Sequence, residues 1–278
     1  MFEIWLDRGS AGRVLVADSL THFAAGVTSD DIVVGASFAG APTAAVPLAA
    51  GVKGWIAHEA GPGKDQAGIS GLAASQQHKI PAAAIATMSA RLSDGRSLLA
   101  GRVSVANQLA QGLGVEVGQL GADAARLMLA APPGHRVDLG PVVDEILHEV
   151  LAPLTANSGG IYAVWSFMLI QKAMSRDVVC VASHAARVMA EYALRDAKPR
   201  GVIANDAGMG LDGSGADGLP ILDSHGIAAA TVSSDSARIG DALSTYHDGI
   251  ISAANDAAQR RGVSVGISAR RAADMMLA

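Results

Sequence analysis

The stretch GVIANDAGMGLDGSG at residues 201–215 repeats the stretch GWIAHEAGPGKDQAG at residues 54–68. The similarity extends outward at a shift of 147 residues, where 18 of 46 positions are identical between 55–100 and 202–247. After one extra residue in the second copy, a further 14 of 29 positions are identical. Even in an Ala/Gly-rich chain, chance would give only about one match in ten. The chain is therefore a duplication, and we expect its two halves to fold alike.

Within each half, short β-branched apolar runs alternate with stretches that have helical character. Continuous apolar runs are typical of parallel strands that are covered on both faces. The predicted strands are 13–17, 31–36, 54–58, 81–86, 160–165, 177–182, 201–205 and 227–233. The predicted helices are 38–50, 68–78, 101–113, 122–130, 184–197, 215–225, 249–261 and 269–277.

These elements predict an α/β fold of two pseudo-symmetric βα-repeat halves, each with a mainly parallel, Rossmann-like sheet. A duplication of half-barrels that closes into one (βα)₈ barrel is the second choice. It ranks second because the predicted strands of the first half begin only 18 to 27 residues apart, which is tight for barrel units.

The predicted domains are a first α/β repeat at 1–130, a linker at 131–157 and a second repeat at 158–278. The linker opens with Ala131-Pro132-Pro133-Gly134, a Pro/Gly stretch that interrupts regular secondary structure. A helix is then predicted from Pro141 to about Leu154, because apolar residues recur on one face. These residues are Val142, Ile146, Val150 and Leu151.

Composition and charge exclude several classes of protein. The net charge is −5, and the densest basic spots are only Arg260-Arg261 and Arg270-Arg271, so nucleic acid is not an expected partner. The single cysteine, Cys180, excludes an intramolecular disulfide and a cysteine-rich zinc site. The N-terminus lacks an export pattern, and the apolar runs are shorter than a membrane span. We therefore expect a cytoplasmic protein that does not bind membranes.

The first candidate site follows the third predicted strand of each half. Ligands of parallel α/β sheets bind outside the carboxyl ends of the strands. An acid directly after a buried strand favours a functional role, as an acid/base group or a cation ligand. Glycines there allow a ligand to approach the backbone, although they also fit a tight turn. The residues are His58, Glu59, Asn205, Asp206, Gly208 and Gly210, with Asp65 and Asp212 as supporting acids.

The second candidate site follows the fourth predicted strand of each half. Both halves have the sequence Ser-Ala-Arg there, with an Asp three residues after the Arg. An arginine fork and a serine hydroxyl suit a carboxylate or phosphate. An internal Arg–Asp bridge that holds the loop is an equally good interpretation. The residues are Ser89, Arg91 and Asp94 in the first half, and Ser236, Arg238 and Asp241 in the second.

His184, at the end of another strand, is a further candidate base, as is His58. The sequence has no Gly-x-Ser-x-Gly elbow and no His-Glu-x-x-His motif, and its glycine spacing departs from the dinucleotide fingerprint. Cys180 lies inside an apolar run and is predicted to be a buried, unreactive thiol.

Together these features predict an enzyme that acts on a small anionic metabolite that carries a carboxylate or phosphate, as a hydrolase, lyase or isomerase. Oxygen ligands of this kind also suit a divalent cation such as Mg²⁺ or Mn²⁺, which the reaction does not require. The alternative is a non-catalytic binding or regulatory protein that clamps an anion between its two halves. Helices rich in small residues are compatible with a homo-oligomer.

Overall fold

The computed structural model describes residues 1–140, 148–155 and 158–278. The strands are β1 (Glu3–Asp7), β2 (Arg13–Ala17), β3 (Ile32–Phe38), β4 (Gly54–His58), β5 (Ala82–Ile85), β6 (Val103–Ala106), β7 (His148–Leu151), β8 (Ile161–Val164), β9 (Val178–His184), β10 (Gly201–Asn205), β11 (Ala228–Val232) and β12 (Ile251–Ala254). The helices are α1 (Ala41–Ala50), α2 (Ser70–Gln77), α3 (Gly95–Ala100), α4 (Gln108–Gly112), α5 (Gly121–Met128), α6 (Arg187–Asp196), α7 (Leu219–Asp223), α8 (Ala242–His247), α9 (Asp256–Gln259) and α10 (Ala269–Leu277).

Two six-stranded sheets confirm the predicted duplication of an α/β arrangement. The strand order is β1-β2-β3-β4-β5-β6 in the first sheet and β12-β11-β10-β9-β8-β7 in the second. The four inner strands of each sheet are parallel to one another, and the outer strand at each edge is antiparallel to its neighbour. Both sheets are open, so the second-choice barrel is not formed.

Each sheet is covered on both faces because its inner strands are apolar at consecutive positions. In the first sheet, Leu15 and Trp55 pack with residues of α1 and α2. Their chain neighbours Val14 and Ile56 point to the opposite face and pack with residues of α3 and α5. These four side chains are fully buried, and burial of each stabilises the fold by about 1.5–3 kcal/mol. The second sheet has the same two-sided core.

The predicted helices 101–113 and 249–261 are wrong at their beginnings, where the chain forms β6 and β12. Asn107 directly follows β6 and caps α4, because its Oδ1 accepts from Ala110 N at 3.0 Å. The same oxygen accepts from Ala82 N at 3.1 Å, which fixes the edge strand to the start of β5. Asn255 makes the equivalent bonds at the end of β12. Pairing with a neighbouring strand therefore overrides the local helical pattern.

The predicted linker helix is wrong over His148–Leu151, which form β7 and pair antiparallel with β8. The part of that prediction from Pro141 to residue 147 lies outside the described residues. Among the described helices, none combines the length and apolar character that a membrane crossing requires.

The chain divides into two compact units, as far as its residues are described. The first unit consists of Met1–Pro62, Gln66–Val142 and Gly210–Asp212. The second consists of Gly63–Asp65, Val143–Met209 and Gly213–Ala278. Each unit thus contains one half of the duplication and three loop residues that the chain supplies from the other half.

Candidate functional site

The loop after the third parallel strand of each sheet has an unusual backbone. After β10, Ala207, Gly208 and Met209 of the second unit have φ of 52°, 67° and 68°. Gly210, the next residue, belongs to the first unit and has φ of 68°. In the first unit Ala60 has φ of 58°. A left-handed conformation costs a residue that has a Cβ about 1–2 kcal/mol. Such strain concentrates at functional sites, so both strand ends are candidates.

The acids at these strand ends, Glu59 and Asp206, are each anchored through one oxygen. Asp206 Oδ1 accepts from Gly208 N at 2.9 Å and from Ser234 N at 3.0 Å. Glu59 Oε1 accepts from Thr87 N at 2.7 Å and from Thr87 Oγ1 at 2.8 Å. The two acids therefore occupy equivalent positions and share one equivalent backbone donor, Thr87 N in the first copy and Ser234 N in the second; their second donors differ.

Asp206 is 5% exposed, whereas Glu59 is half-buried. Within the part of the chain that the structure describes, the second carboxylate oxygen of Asp206, Oδ2, makes no hydrogen bond. A carboxylate held by one oxygen has a fixed orientation, and its other oxygen keeps its lone pairs. Asp206 can therefore bind a ligand group or exchange a proton at Oδ2.

His58 and Asn205 precede these acids and share a structural role. His58 Nδ1 accepts from Ala60 N at 2.9 Å, and the other ring nitrogen, Nε2, lies 3.0 Å from Ala90 O. Asn205 Oδ1 accepts from Ala207 N at 2.8 Å, and its Nδ2 donates to Ala237 O at 3.0 Å. Since Nδ1 is an acceptor, the His58 ring is neutral and donates from Nε2. Burial lowers the pKa of His58, in agreement with a neutral ring.

His184 lies at the end of β9 and is 3% exposed. Its Nδ1 accepts from Ala186 N at 3.3 Å, the same bond to the second following residue that His58 makes. The structure therefore places both predicted histidine bases at strand ends, where each bonds the backbone.

The two arginines differ in how firmly they are paired. Arg91 Nη1 donates to Asp212 Oδ2 at 3.0 Å within the first unit. In the second unit, Arg238 Nε is 3.6 Å from Asp65 Oδ2, which is too long for a hydrogen bond. The Arg238 side chain is 51% exposed, and among the described residues its guanidinium makes no hydrogen bond. The predicted Arg–Asp bridge within each loop is therefore wrong: Asp94 and Asp241 cap helices, and the arginines face Asp212 and Asp65 instead.

The remaining predicted residues of these loops bond the backbone. Ser236 Oγ donates to Ser233 O at 2.8 Å and accepts from Ile250 N at 2.9 Å. Asp241 caps α8 by accepting from Ser244 N at 2.9 Å. The equivalent residues of the first unit, Ser89 and Asp94, make the equivalent bonds. These contacts shape the loop and hold it against the neighbouring strand and helix.

Two residues of the second unit were missed by sequence reasoning. Lys64 N donates to Ser234 O at 2.9 Å, so Lys64 lies beside the residue that anchors Asp206. Its Nζ donates to Asp248 Oδ2 at 2.9 Å, and Ser244 Oγ donates to the same oxygen at 2.7 Å. Asp248 is the extra residue of the second copy, because the shift is 147 up to residue 247 and 148 from residue 249. In the sequence, this one-residue insertion is the signal that could have drawn attention to Asp248.

In residues 1–140, 148–155 and 158–278, no three or more His, Cys, Asp or Glu side chains are grouped so that they could hold a metal ion. Cys180 is buried in β9, and burial raises the pKa of its thiol to about 12. No protein-family model matches the chain, and neither a curated protein nor a solved structure matches it.

Proposed function

We propose that the chain is an enzyme that acts on a small anionic metabolite, and that its working site lies in the second unit around Asp206 and Arg238. The observation that carries the proposal is the nearly buried Asp206 carboxylate, which is anchored through Oδ1 and free at Oδ2. A fixed carboxylate with one available oxygen is suited to general acid–base catalysis, because it can accept or donate a proton at a defined position.

Arg238 is the residue that would hold the anionic group of the substrate. Its planar guanidinium can donate two parallel hydrogen bonds to a carboxylate or phosphate. The 3.6 Å separation from Asp65 leaves these donors available, and half of the side chain is exposed. In the first unit, Arg91 already donates to Asp212 at 3.0 Å, which favours a supporting role for that loop.

The strained loop Ala207–Gly210 brings backbone close to the same site. Gly208 N is committed to Asp206, so the loop supports the carboxylate directly. Hydrolysis, elimination and isomerisation all include a proton transfer, which Asp206 would carry out at Oδ2. His58 and Asn205 are assigned a structural role in this scheme, because each is bonded to the backbone on both sides.

The test combines ligand binding and turnover. Thermal shifts are measured with a panel of small carboxylates and phosphates, and turnover of the same panel is followed by NMR. Arg238→Ala is expected to lower affinity for the responding anion about tenfold or more, whereas the matched control Arg91→Ala leaves it unchanged. Asp206→Asn keeps Oδ1 and its two backbone bonds, and it is expected to abolish turnover without unfolding the protein.

Turnover that survives in Asp206→Asn would overturn the catalytic assignment. Anion binding that depends on Arg238, with no turnover of any panel member, would favour the non-catalytic binding protein instead. No stabilisation by any anion would contradict the proposal as a whole.

A further inference from the structure

We propose that Lys64 is a second anion-binding residue of the second unit, that Asp248 holds it in place, and that the group they bind is a phosphate monoester. This inference rests on the proposed function, since it assigns a chemical class to the anion held by Arg238.

The first step is the position of Lys64 next to the proposed site. Lys64 N donates to Ser234 O, and Ser234 N donates to Asp206 Oδ1. Arg238 lies beside Asp65, which follows Lys64 directly in the chain, so the Cα atoms of 64 and 65 are about 3.8 Å apart. The backbone of Lys64 and the side chain of Arg238 are therefore both linked to the strand end that carries Asp206.

The second step is that Lys64 is oriented rather than freely mobile. Its Nζ is 2.9 Å from Asp248 Oδ2, and Ser244 Oγ donates to that same oxygen at 2.7 Å. Ser244 Oγ also accepts from the Arg238 backbone N–H at 3.1 Å. The same hydroxyl therefore bonds both Asp248, which pairs with Lys64, and the backbone of Arg238. The hydrogen bond from Lys64 is the largest cause of the lowered pKa of Asp248, which therefore remains a carboxylate. Of the three ammonium donors, one is used by Asp248; among the described residues the other two make no hydrogen bond, and the Lys64 side chain is 34% exposed.

The third step comes from the comparison of the two copies. The counterpart of Lys64 is Leu211, and Asp248 is the single residue by which the second copy is longer. The cation and its partner thus occur together in one unit and are both lacking in the other. Arg91 and Asp212, in contrast, have counterparts in Arg238 and Asp65. A pair added to only one copy favours a role in the activity of that copy over a role in the common fold.

The fourth step is the match of charge. A phosphate monoester carries about −1.5 to −2 charges at pH 7, whereas a carboxylate carries one. Arginine binds such a group bidentately, and lysine adds a point charge. Lys64 and Arg238 together match a phosphate, and Arg238 alone would suffice for a carboxylate.

The experiment is a titration of the full chain with inorganic phosphate and with acetate at constant ionic strength and pH 8. The variant Lys64→Leu introduces the residue of the first copy, and Leu211→Lys is its matched control. Lys64→Leu is expected to weaken phosphate about tenfold or more and to leave acetate unchanged within about twofold. Lys64→Arg is expected to recover most of the phosphate affinity, and Leu211→Lys to alter neither anion.

A pH series adds a readout that a purely structural lysine would not move. In the wild type, phosphate affinity is expected to rise between pH 6 and pH 8 as the second proton of phosphate is lost, and this rise should be clearly smaller in Lys64→Leu, where Arg238 alone of the two cations remains. If Lys64→Leu does not fold, as judged by circular dichroism, Lys64→Met takes its place.

The outcomes separate the two proposals. Phosphate binding that is unaffected by Lys64→Leu but lost in Arg238→Ala would overturn the role of Lys64 and leave the anion site standing. Acetate that binds as tightly as phosphate would also overturn it. A wild type that binds neither anion would overturn both proposals.

Discussion

Replacement of His58 by asparagine tests whether this residue supports the loop or acts as a base. The structure gives two measured bonds for the imidazole, 2.9 Å to Ala60 N and 3.0 Å to Ala90 O. Asn205 spans the equivalent atoms of the second unit at 2.8 and 3.0 Å, so asparagine has the correct reach. We expect His58→Asn to keep both bonds and to cost only about 1 kcal/mol for the lost volume.

His58→Ala is the informative comparison. Loss of the imidazole leaves the buried Ala60 N–H without an acceptor, which costs about 1–3 kcal/mol. The empty side-chain volume adds a further cost. Ala90 O retains a donor, Leu211 N at 3.1 Å, so only one group is orphaned. The expected destabilisation is about 2–5 kcal/mol, measured by urea unfolding with the transition of the first unit followed separately.

The pH dependence gives a second readout. Burial lowers the pKa of His58 below that of the unfolded chain, about 6.5. The unfolded state therefore binds more protons between the two values. The contribution of His58 is complete above pH 6.5 and declines as the pH falls, by at most about 1.4 kcal/mol per pH unit. This decline should be absent in His58→Asn. An asparagine variant as unstable as the alanine variant, or one that keeps the full pH slope, would refute the shared structural role.

Three further predictions concern single side chains. Gly215→Ala should lower the free energy of unfolding by about 3 kcal/mol or more, because a Cβ there would lie 1.9 Å from Asp206 O. The control Gly112→Ala should be close to neutral in thermal unfolding, because a Cβ at Gly112 would have no atom within 4 Å. Asn255→Ala should cost about 2–4 kcal/mol in urea unfolding, because it removes bonds to two buried backbone N–H groups and two carbonyls; a loss below 1 kcal/mol would contradict this role. Cys180 should resist alkylation in the native protein at pH 8 and react at the rate of unfolding, because its buried thiol has a pKa of about 12; rapid native labelling would disprove this.

The duplication was predictable because the two copies keep many identical residues at a constant shift, and the parallel inner strands because each is a short, locally continuous apolar run. A buried strand such as Gly201–Asn205 shows as a continuous apolar run, and the acid that follows it is at the carboxyl edge in any parallel sheet. The short edge strands were not predictable. Four residues such as Val103–Ala106 are too few for a periodicity to separate strand from helix, and only the pairing with β5 decides between them.

The sequence by itself determined that this protein has two like α/β halves and that Glu59 and Asp206 stand at their strand ends. Only the tertiary structure decided which charges meet there. Lys64 and Asp248 are 184 residues apart, and Arg91 and Asp212 are 121 apart. No local pattern encodes such pairs, because their contact depends on where the chain places residues 63–65 and 210–212. The physical reason is that side-chain electrostatics act over a few ångströms in space, whereas sequence patterns record only neighbours along the chain.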